Sequence, residues 1–553
     1  MNLLSLVGVL KDPKNRVGAA STAPGTEGLC FWAAPSAEAL QAEVAHVTAD
    51  SRDVKIVDAI HFGAPTGAPG ERGGRSVFVA VRGTKVDGHD YLAQVLASGA
   101  AAAVVAEESR VQELVRSGKL QISPADPPVV LVPDTRLALD VLARRLFYDP
   151  SHRLLCFGVT GTNGKTSSVY LLEHLLTFAK MPTGVLGTIN HHLGEKVWES
   201  THTTPDPVRL QSRLNEMKEL GAQAIAMEVS SHALDQHRAD GVQFNIVLFT
   251  NLTRDHLDYH QTEEAYFKAK ERLFTELLWS SQKVPLFAVV NTDDAWGRRL
   301  RISGRAGLFT IGQNKDADFR FEVLAQDFAG QRFMLHTPLG DFEGELPLIG
   351  KHNLYNAVGA IAAVTAAGLS PDRSLLALKN FGGIPGRLQR VPDRLDRYIF
   401  VDYAHTPDAL ENVLRTLNEI RASLQKGAGA SSEHPPRILT LFGCGGDRDK
   451  GKRPQMAQIA ARLSDEIWIT SDNPRGEDPA QILREIRAGI PEMPADRVHE
   501  DLDRAKAIGH IIRAARPGDV VLIAGKGHED YQEIQGEKRP FSDVAIAADV
   551  LKG

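Results

Sequence analysis

Short apolar runs alternate with helical periods along most of this 553-residue chain. RLLCFGVT is continuously apolar and bounded by turn residues, the pattern of a strand buried inside a parallel sheet. VYLLEHLLTF follows it, and Val169, Leu172 and Leu176 recur at the spacing of one helix face. AIAMEV, FNIVLFTNL and LFAVVN repeat the strand pattern with helical stretches between them, which predicts βαβ units around a largely parallel sheet. Upstream, RSVFVAVRG predicts a strand, and YLAQVLASGAAAAVVAEE a helix, a turn and a strand. Beyond Arg387, IFVDYA, RILTLFG, EIWITSD and DVVLIAG are strand-like, each closed by a polar or glycine turn and most followed by helix. PTGAPGERGGR and KGAGASSEHPP have no apolar period and predict surface loops. The expected architecture is α/β, in three domains spanning 1–152, 153–386 and 387–553.

Composition narrows the class. The length exceeds what one core supports, and 43% hydrophobic with 24% charged residues is ordinary for a globular protein. A net charge of −6 supplies no basic field for nucleic acid. LLSLVGVL has no preceding positive charge and no small-residue cleavage site, so it reads as a core element. AVGAIAAVTAAGL is too short to cross a bilayer. Cys30, Cys156 and Cys444 are odd in number and far apart, fitting neither a disulfide framework nor a zinc spacing. A cytoplasmic monomer is expected, without nucleic acid and without membrane insertion.

GVTGTNGKTSSVY, from Gly158 to Tyr170, is the first candidate for chemistry. It follows a strand and opens a helix, so backbone amides and the helix start would face an anion. Lys165 suits the outer phosphates of a nucleotide, and the Thr166 hydroxyl suits Mg²⁺. The common phosphate loop has its first glycine where this chain has Val159; here Gly158, Gly161 and Gly164 recur every third residue. A tight strand-to-helix turn with a solvated lysine is the plainer alternative.

Other stretches follow in order. They are TTPDP at 203–207, MEVSSHALDQHR at 227–238, TNLTRDHLDYH at 250–260, AYFKAKERLF at 265–274 and GKHNLYNA at 350–357. Then come PGR at 385–387, VDYAHTPDAL at 401–410, GCGGDRDKGKRP at 443–454, DNPR at 472–475 and AGKGHEDYQ at 524–532. Together with GVTGTNGKT this set resembles the Mur ligase family, which also includes the folylpolyglutamate synthases; the loop without an early glycine is that family's own form. The resemblance implies an N-terminal domain binding a UDP-muramoyl peptide, a central P-loop ATP-binding domain and a Rossmann-like C-terminal domain binding the amine. It implies an ATP-dependent amide ligase of peptidoglycan synthesis: ATP phosphorylates a carboxylate, an amine attacks the acyl phosphate, and phosphate leaves. The reacting partners are both anions, so charge neutralisation and alignment dominate the barrier.

By the same resemblance, ATP belongs to Gly161, Thr162, Asn163, Gly164, Lys165 and Thr166, with Asn356, Arg387 and Asp402 from the later motifs. Arg387 would steady γ-phosphate charge as it develops. Mg²⁺ belongs to Thr166, Glu228, His256 and Lys270, and the catalytic set is Lys165, Glu228, His256, Lys270 and Arg387. Glu228 also ends a predicted strand, the usual place for an α/β site residue, and Asp255 beside His256 suits orienting its ring. Lys270, rather than Lys268, matches a family lysine carbamylated by carbon dioxide, which turns a cation into an oxygen donor for Mg²⁺. Read alone, each of these has a plainer role: a capping glutamate, a structural histidine, a solvated lysine, a helix-start asparagine, a surface arginine.

Thr203, Thr204, Ser230, Gln236 and Arg238 fall at the family's positions for UDP-N-acetylmuramoyl-L-alanyl-D-glutamate, and Ser51 in ADSRDV at its UDP end. The usual continuation of ADSRDV is interrupted from Lys55 to Gly74. Meso-diaminopimelate carries a carboxylate and an ammonium on its distal carbon, so its pocket needs a bidentate cation and a carboxylate together. Asp472, Asn473, Pro474 and Arg475 of DNPR, Gly525 and Glu529 of AGKGHE, and Arg448 match that requirement. DNPR is also a plausible Asn-Pro turn after a strand. Competing readings are a ligase for another amine, a folate-polyglutamylating relative, a P-loop motor or kinase, and a non-catalytic nucleotide-binding regulator. DNPR, TTPDP and VSSHALDQHR argue against the folate reading, and Lys165, Glu228, His256 and Lys270 against the regulator. The motor and kinase lack an arginine-finger or kinase signature here.

Overall fold

The computed structural model describes residues 77–552 except 84–85, 99, 101, 122–126, 303, 427–434 and 491. It also gives the backbone of strands Ala19–Ala20, Cys30–Phe31, Val44–Thr48 and Arg75–Val79. LLSLVGVL, Ser51, the 55–74 insertion and most of KGAGASSEHPP lie outside the described residues. The chain divides into two compact units: Met1–Lys165, Leu176–Val290 and Asp294–Leu308 in one, and Thr166–Leu175, Asn291–Asp293 and Phe309–Gly553 in the other. Among the described residues no helix is long and apolar enough to cross a membrane.

The first unit holds two sheets. One places Val129–Leu131, Ala102–Val105, Arg75–Val79 and Val44–Thr48 side by side in parallel, with Cys30–Phe31 and Ala19–Ala20 added antiparallel. The other runs Thr183–Leu186, Ala224–Glu228, Leu155–Thr160, Ile246–Phe249 and Phe287–Asn291, all parallel. Its strands are buried almost throughout, as continuous apolar runs predict. Val169, Leu172 and Leu176 on helix Lys165–Phe178 are fully buried, as their spacing predicts. Gly158 sits within the central strand, where a Cβ would lie 2.7 Å from the Phe244 ring. It is a packing glycine beneath the loop and takes no part in the loop's turn.

The second unit contains an antiparallel meander, Phe319–Gln326, Gln331–Thr337 and Gly340–Leu346. Its other sheet orders Tyr398–Asp402, Val520–Ala524, Ile438–Phe442, Glu466–Thr470 and Val498–Asp501 in parallel, with Gln389–Val391 antiparallel at one edge. The four strand-like runs read beyond Arg387 are four of its five parallel strands. A fully buried ion pair sits below two of their ends. Arg504 meets Asp543 at 2.7 Å, and its remaining N–H groups donate to the carbonyls of Ala524 and Ser471. Those carbonyls directly precede AGKGHE's Gly525 and DNPR's Asp472, so one guanidinium ties together the starts of two motif loops.

Removing one partner of a buried ion pair leaves an uncompensated charge. Arg504→Met is expected to destabilise the second unit by about 3–5 kcal/mol in chemical denaturation. Adding Asp543→Leu in the same chain should recover most of that loss.

Candidate active site

The glycine loop is strapped to the neighbouring strand end rather than left open. After strand Ile246–Phe249, the Thr250 hydroxyl donates to the Asn163 carbonyl (2.6 Å), and Asn251 both accepts from the Asn163 amide (3.0 Å) and donates to its carbonyl (3.1 Å). The Thr162 amide donates to the Asn251 carbonyl at 2.8 Å. With these two amides committed, the helix start from Gly164 onward is the part of the loop built to face an anion. Gly161 has φ +150° and a Cβ there would lie 2.0 Å from Thr250 Oγ1, so no other residue fits. Gly164 has φ +86°.

Two lysines converge on one carbonyl of this loop. Lys165 Nζ donates to the carbonyls of Gly161 (2.9 Å) and Thr162 (2.7 Å), and Lys270 Nζ donates to the same Gly161 carbonyl at 2.8 Å. Lys270 lies on helix Glu263–Arg272, is 1% exposed, and rests 4.4 Å from the centre of the Tyr266 ring. Burial, then the nearby Lys165 charge, hold its ammonium well below the ordinary lysine range. Lys268, by contrast, is exposed and paired with Glu271 at 2.5 Å. The two neighbouring lysines therefore differ in chemistry: one solvated cation and one buried amine.

Around Lys270 stand groups the sequence reading passed over. Tyr266 OH meets Thr162 Oγ1 at 3.2 Å, and its ring lies 6.0 Å from His256 and 5.2 Å from His260. His232 is 4.9 Å from His256, edge to face, and burial lowers the pKa of its imidazole. His256 itself has φ +53°, and Asp255 Oδ2 is 3.6 Å from its Nε2, too far for a hydrogen bond. The aspartate therefore does not orient the ring by the bond that sequence adjacency suggests.

Glu228 ends strand Ala224–Glu228 in register with Val159, one residue before Thr160 closes the neighbouring strand. It is 1% exposed, and its two carboxylate oxygens accept from the amide (2.9 Å) and hydroxyl (3.1 Å) of Thr188, another residue missed in the sequence. Gly187 is required beside it, since a Cβ would come within 2.5 Å of Glu228 Oε1. Thr188 in turn meets Thr203 at 3.1 Å. Thr204 donates its hydroxyl to the Glu228 carbonyl (2.8 Å) and accepts from the Ser230 amide (3.1 Å). Ser230 caps helix Ser231–Asp235, Gln236 donates to Tyr259 OH, and Arg238 donates to the Thr204 carbonyl at 2.7 Å. TTPDP and SSHALDQHR are thus one connected structure leaning on Glu228. The Thr204 hydroxyl proton is already committed within it.

In the second unit, Asn356 is buried on helix Lys351–Ala366, and its Nδ2 lies 3.4 Å from Asn353 Oδ1. The Arg387 guanidinium lies 5.2 Å from the Tyr403 ring centre. Asp402 is buried, which raises its pKa against the pull of Arg387. Its oxygens accept the amides of Leu388 (2.7 Å) and Ala404 (2.8 Å), so it ties the backbone just after Arg387 to its own turn. PGR, VDYAH and AGKGHE interlock here: a Cβ on Gly386 would meet the His528 amide nitrogen at 2.2 Å, and one on Gly527 would meet Tyr403 Cβ at 2.6 Å.

DNPR and AGKGHE face each other. Asn473 Nδ2 donates to Glu529 Oε2 at 2.9 Å, and Asn473 Oδ1 accepts from Lys526 and from the Glu533 amide. Arg475 adopts φ +50°, pairs with Glu533 (3.3 Å) and donates to the Gly446 carbonyl (2.8 Å). The Asp472 carboxylate closes on Gly525, where a Cβ would lie 2.7 Å from its Oδ2. Pro474 packs so tightly that a Cβ on Gly446 would strike its carbonyl. Arg448 is exposed on the adjoining GGDRDKGKRP loop. The Asn-Pro turn and the paired functional groups are both present: the turn is what aims Arg475.

A glycine loop that follows a strand and opens a helix on a lysine has the form that holds nucleotide phosphates. Comparison with known proteins agrees. Residues 72–147 match the Mur ligase family catalytic domain, 159–364 the Mur ligase middle domain, and 386–527 the Mur ligase glutamate ligase domain. A UDP-N-acetylmuramoyl-L-alanyl-D-glutamate–2,6-diaminopimelate ligase of Geobacter metallireducens is 43% identical over 482 residues, covering 84% of this chain and 89% of its own. The ligase of the same name from Thermosynechococcus vestitus is 43% identical over 481 residues, 86% of this chain and 90% of its own. A solved structure of a protein of that name superposes with TM-score 0.64 at 32% identity, covering 92% of this chain and 95% of that one. The chain belongs to the Mur ligase family. It is an ATP-dependent ligase.

The buried amine gives a stability test. Between the depressed pKa of Lys270 and the ordinary value near 10.5, the unfolded chain holds a proton that the folded one does not. Wild-type stability should therefore rise with pH across that window. In carbon-dioxide-depleted buffer at neutral pH, Lys270→Met is expected to raise the melting temperature and flatten this dependence.

Proposed function

We propose that this ligase joins meso-2,6-diaminopimelate to the D-glutamate of UDP-N-acetylmuramoyl-L-alanyl-D-glutamate. ATP phosphorylates the glutamate side-chain carboxylate, the amine attacks the acyl phosphate, and ADP and phosphate are released. The product is the UDP-muramoyl tripeptide used for peptidoglycan. The observation that carries the amine assignment is Arg475 and Glu529 on facing loops joined through Asn473, a cation and an anion presented together. A distal carbon bearing a carboxylate and an ammonium matches that pair.

In this reading the loop from Gly161 to Thr166 holds the ATP phosphates, with Lys165 on the outer ones, and Asn356, Arg387 and Asp402 serve the nucleotide. Thr203, Thr204, Ser230, Gln236, Arg238 and Ser51 serve the UDP-muramoyl peptide. Asp472, Asn473, Pro474, Arg475, Gly525, Glu529 and Arg448 serve the amine. Mg²⁺ suits the oxygen donors Thr166 and Glu228, with His256 as a nitrogen donor, and would supply charge neutralisation for the phosphates. Lys270 as an ammonium does not suit a cation, but its neutral Nζ suits carbon dioxide. The nitrogen lone pair would form an N–C bond to the carbon as one C=O π pair moves onto oxygen, the nitrogen would lose a proton to solvent, and the carbamate oxygens would be donors suited to the metal. Burial of Lys270 supports this, because it lowers the pKa of the amine and so favours its unprotonated form. Cys156 and Cys444 are buried free thiols, which agrees with a reducing cytoplasm, and we read the working form as a monomer.

The test is phosphate release from ATP with the UDP-muramoyl dipeptide and meso-diaminopimelate, L-lysine or no amine. Strong stimulation by diaminopimelate alone, with the tripeptide mass in the product, is the expected outcome; stimulation by lysine instead would overturn the amine assignment. Lys270→Ala should lose about 10²-fold or more in turnover, and full activity in that variant without bicarbonate would end the carbamate role. Arg475→Ala should raise the Michaelis constant for the amine about tenfold or more while that for ATP stays within about twofold.

A further inference from the structure

AGKGHE buries a lysine that no step of the reaction above employs. Lys526 is 0% exposed, which is rare for a lysine and unfavourable unless its charge is paired. Its ammonium lies 3.0 Å from Glu529 Oε2 and 3.0 Å from Asn473 Oδ1. The backbone is shaped to drive it inward. Gly525 at φ +118° and Gly527 at φ +55° flank it, and each lies where a Cβ would strike a neighbour, Asp472 Oδ2 in one case and Tyr403 in the other. Neither bend is open to an ordinary residue without strain.

The hydrogen bonds around Lys526 have one consistent sense. Asn473 Oδ1 is committed to two donors, Lys526 and the Glu533 amide, so its NH₂ must point the other way, to Glu529. Glu529 Oε2 thereby accepts from both Asn473 and Lys526, which fills its two lone-pair directions. Among the described residues Glu529 Oε1 accepts no hydrogen bond. The carboxylate is held in place by one oxygen and offers the other. Charge on the facing loop is balanced in the same way, with Arg475 paired to Glu533.

Resting on the diaminopimelate reading, we propose that Lys526 is a positioning residue. It holds Glu529 turned so that Oε1 alone receives the distal ammonium of the amine. It does not itself touch the amine. Its effect is then confined to recognition of the distal ammonium, separate from Arg475's recognition of the distal carboxylate.

The test compares three amines in the full-length protein: meso-diaminopimelate, L-lysine, which lacks the distal carboxylate, and 2-aminopimelate, which lacks the distal ammonium. Lys526→Met should reduce the kcat/KM preference for diaminopimelate over 2-aminopimelate about tenfold or more. The preference for diaminopimelate over lysine should stay within about threefold, as should KM for ATP. Lys526→Gln, which keeps a donor but not the charge, should restore part of the lost preference; it also serves as the working variant if the methionine protein does not fold. An unchanged preference over 2-aminopimelate, or both preferences falling together, would overturn the assignment. A wild-type protein with no turnover of diaminopimelate would instead overturn the proposed function, and this inference with it.

Discussion

Two lysine amino groups share the carbonyl of Gly161, and much of the first unit is arranged around that crowding. A second cation beside Lys165, shut away from water, is unfavourable in its charged form. The fold resolves this by burying Lys270 far enough to favour the neutral amine, and by packing Tyr266 and the histidines of TRDHLDYH beside it. The loop itself cannot relax away, because Thr250 and Asn251 strap Asn163 and leave no room beside Gly161. Stability is given up at a point where an unprotonated nitrogen has chemical value.

The second unit solves the opposite problem. There the charges are kept rather than suppressed: Arg504 with Asp543, Arg475 with Glu533, Lys526 with Glu529, and Arg453 with Glu477 and Glu485. Arg453 is fully buried, and Glu477, bonded by Arg453 and by the Asp447 amide, is held down to about 2. Such pairs add little net stability over apolar packing, but they fix directions. Arg504 joins two strand ends, and Arg453 with Glu477 joins the GGDRDKGKRP loop to the segment after DNPR. The loops that carry amine recognition are therefore braced from below and from the side.

The parallel strands were legible because burial on both faces leaves continuous apolar runs, as in AIAMEV and DVVLIAG. The meander over 319–346 was not singled out, although FRFEVLAQ and QRFMLHT alternate apolar and polar residues in the way a half-exposed antiparallel strand does. Candidate residues that belong to motifs, such as Lys165, Glu228, Lys270 and Arg475, were singled out from family likeness. Whether the amine at 268 or 270 is the buried one also follows from helical phase, since Lys270 shares a face with Tyr266 and Phe267. Thr188, Tyr266 and Lys526 were missed because their importance lies in whom they touch across the fold. A threonine after a strand and a lysine between two glycines say little until Glu228 and Glu529 arrive beside them. Gly158 misled in the other direction: its spacing suits the loop, but its reason is the Phe244 ring.

The interlock of Gly386, Gly527 and Tyr403 also bears on how such a ligase can change over evolutionary time. Three loops meet there with no space for a single methyl group, so replacing either glycine disturbs Arg387's loop and Glu529's loop at once. Arg475 lies outside that junction: its guanidinium pairs with Glu533 and donates to the Gly446 carbonyl, and its backbone bonds to Glu533 and Gln535. Under the proposed amine assignment, exchange at position 475 leaves that junction intact, whereas exchange at either glycine does not. Variation is open at one point of the site and closed at another a few residues away in space.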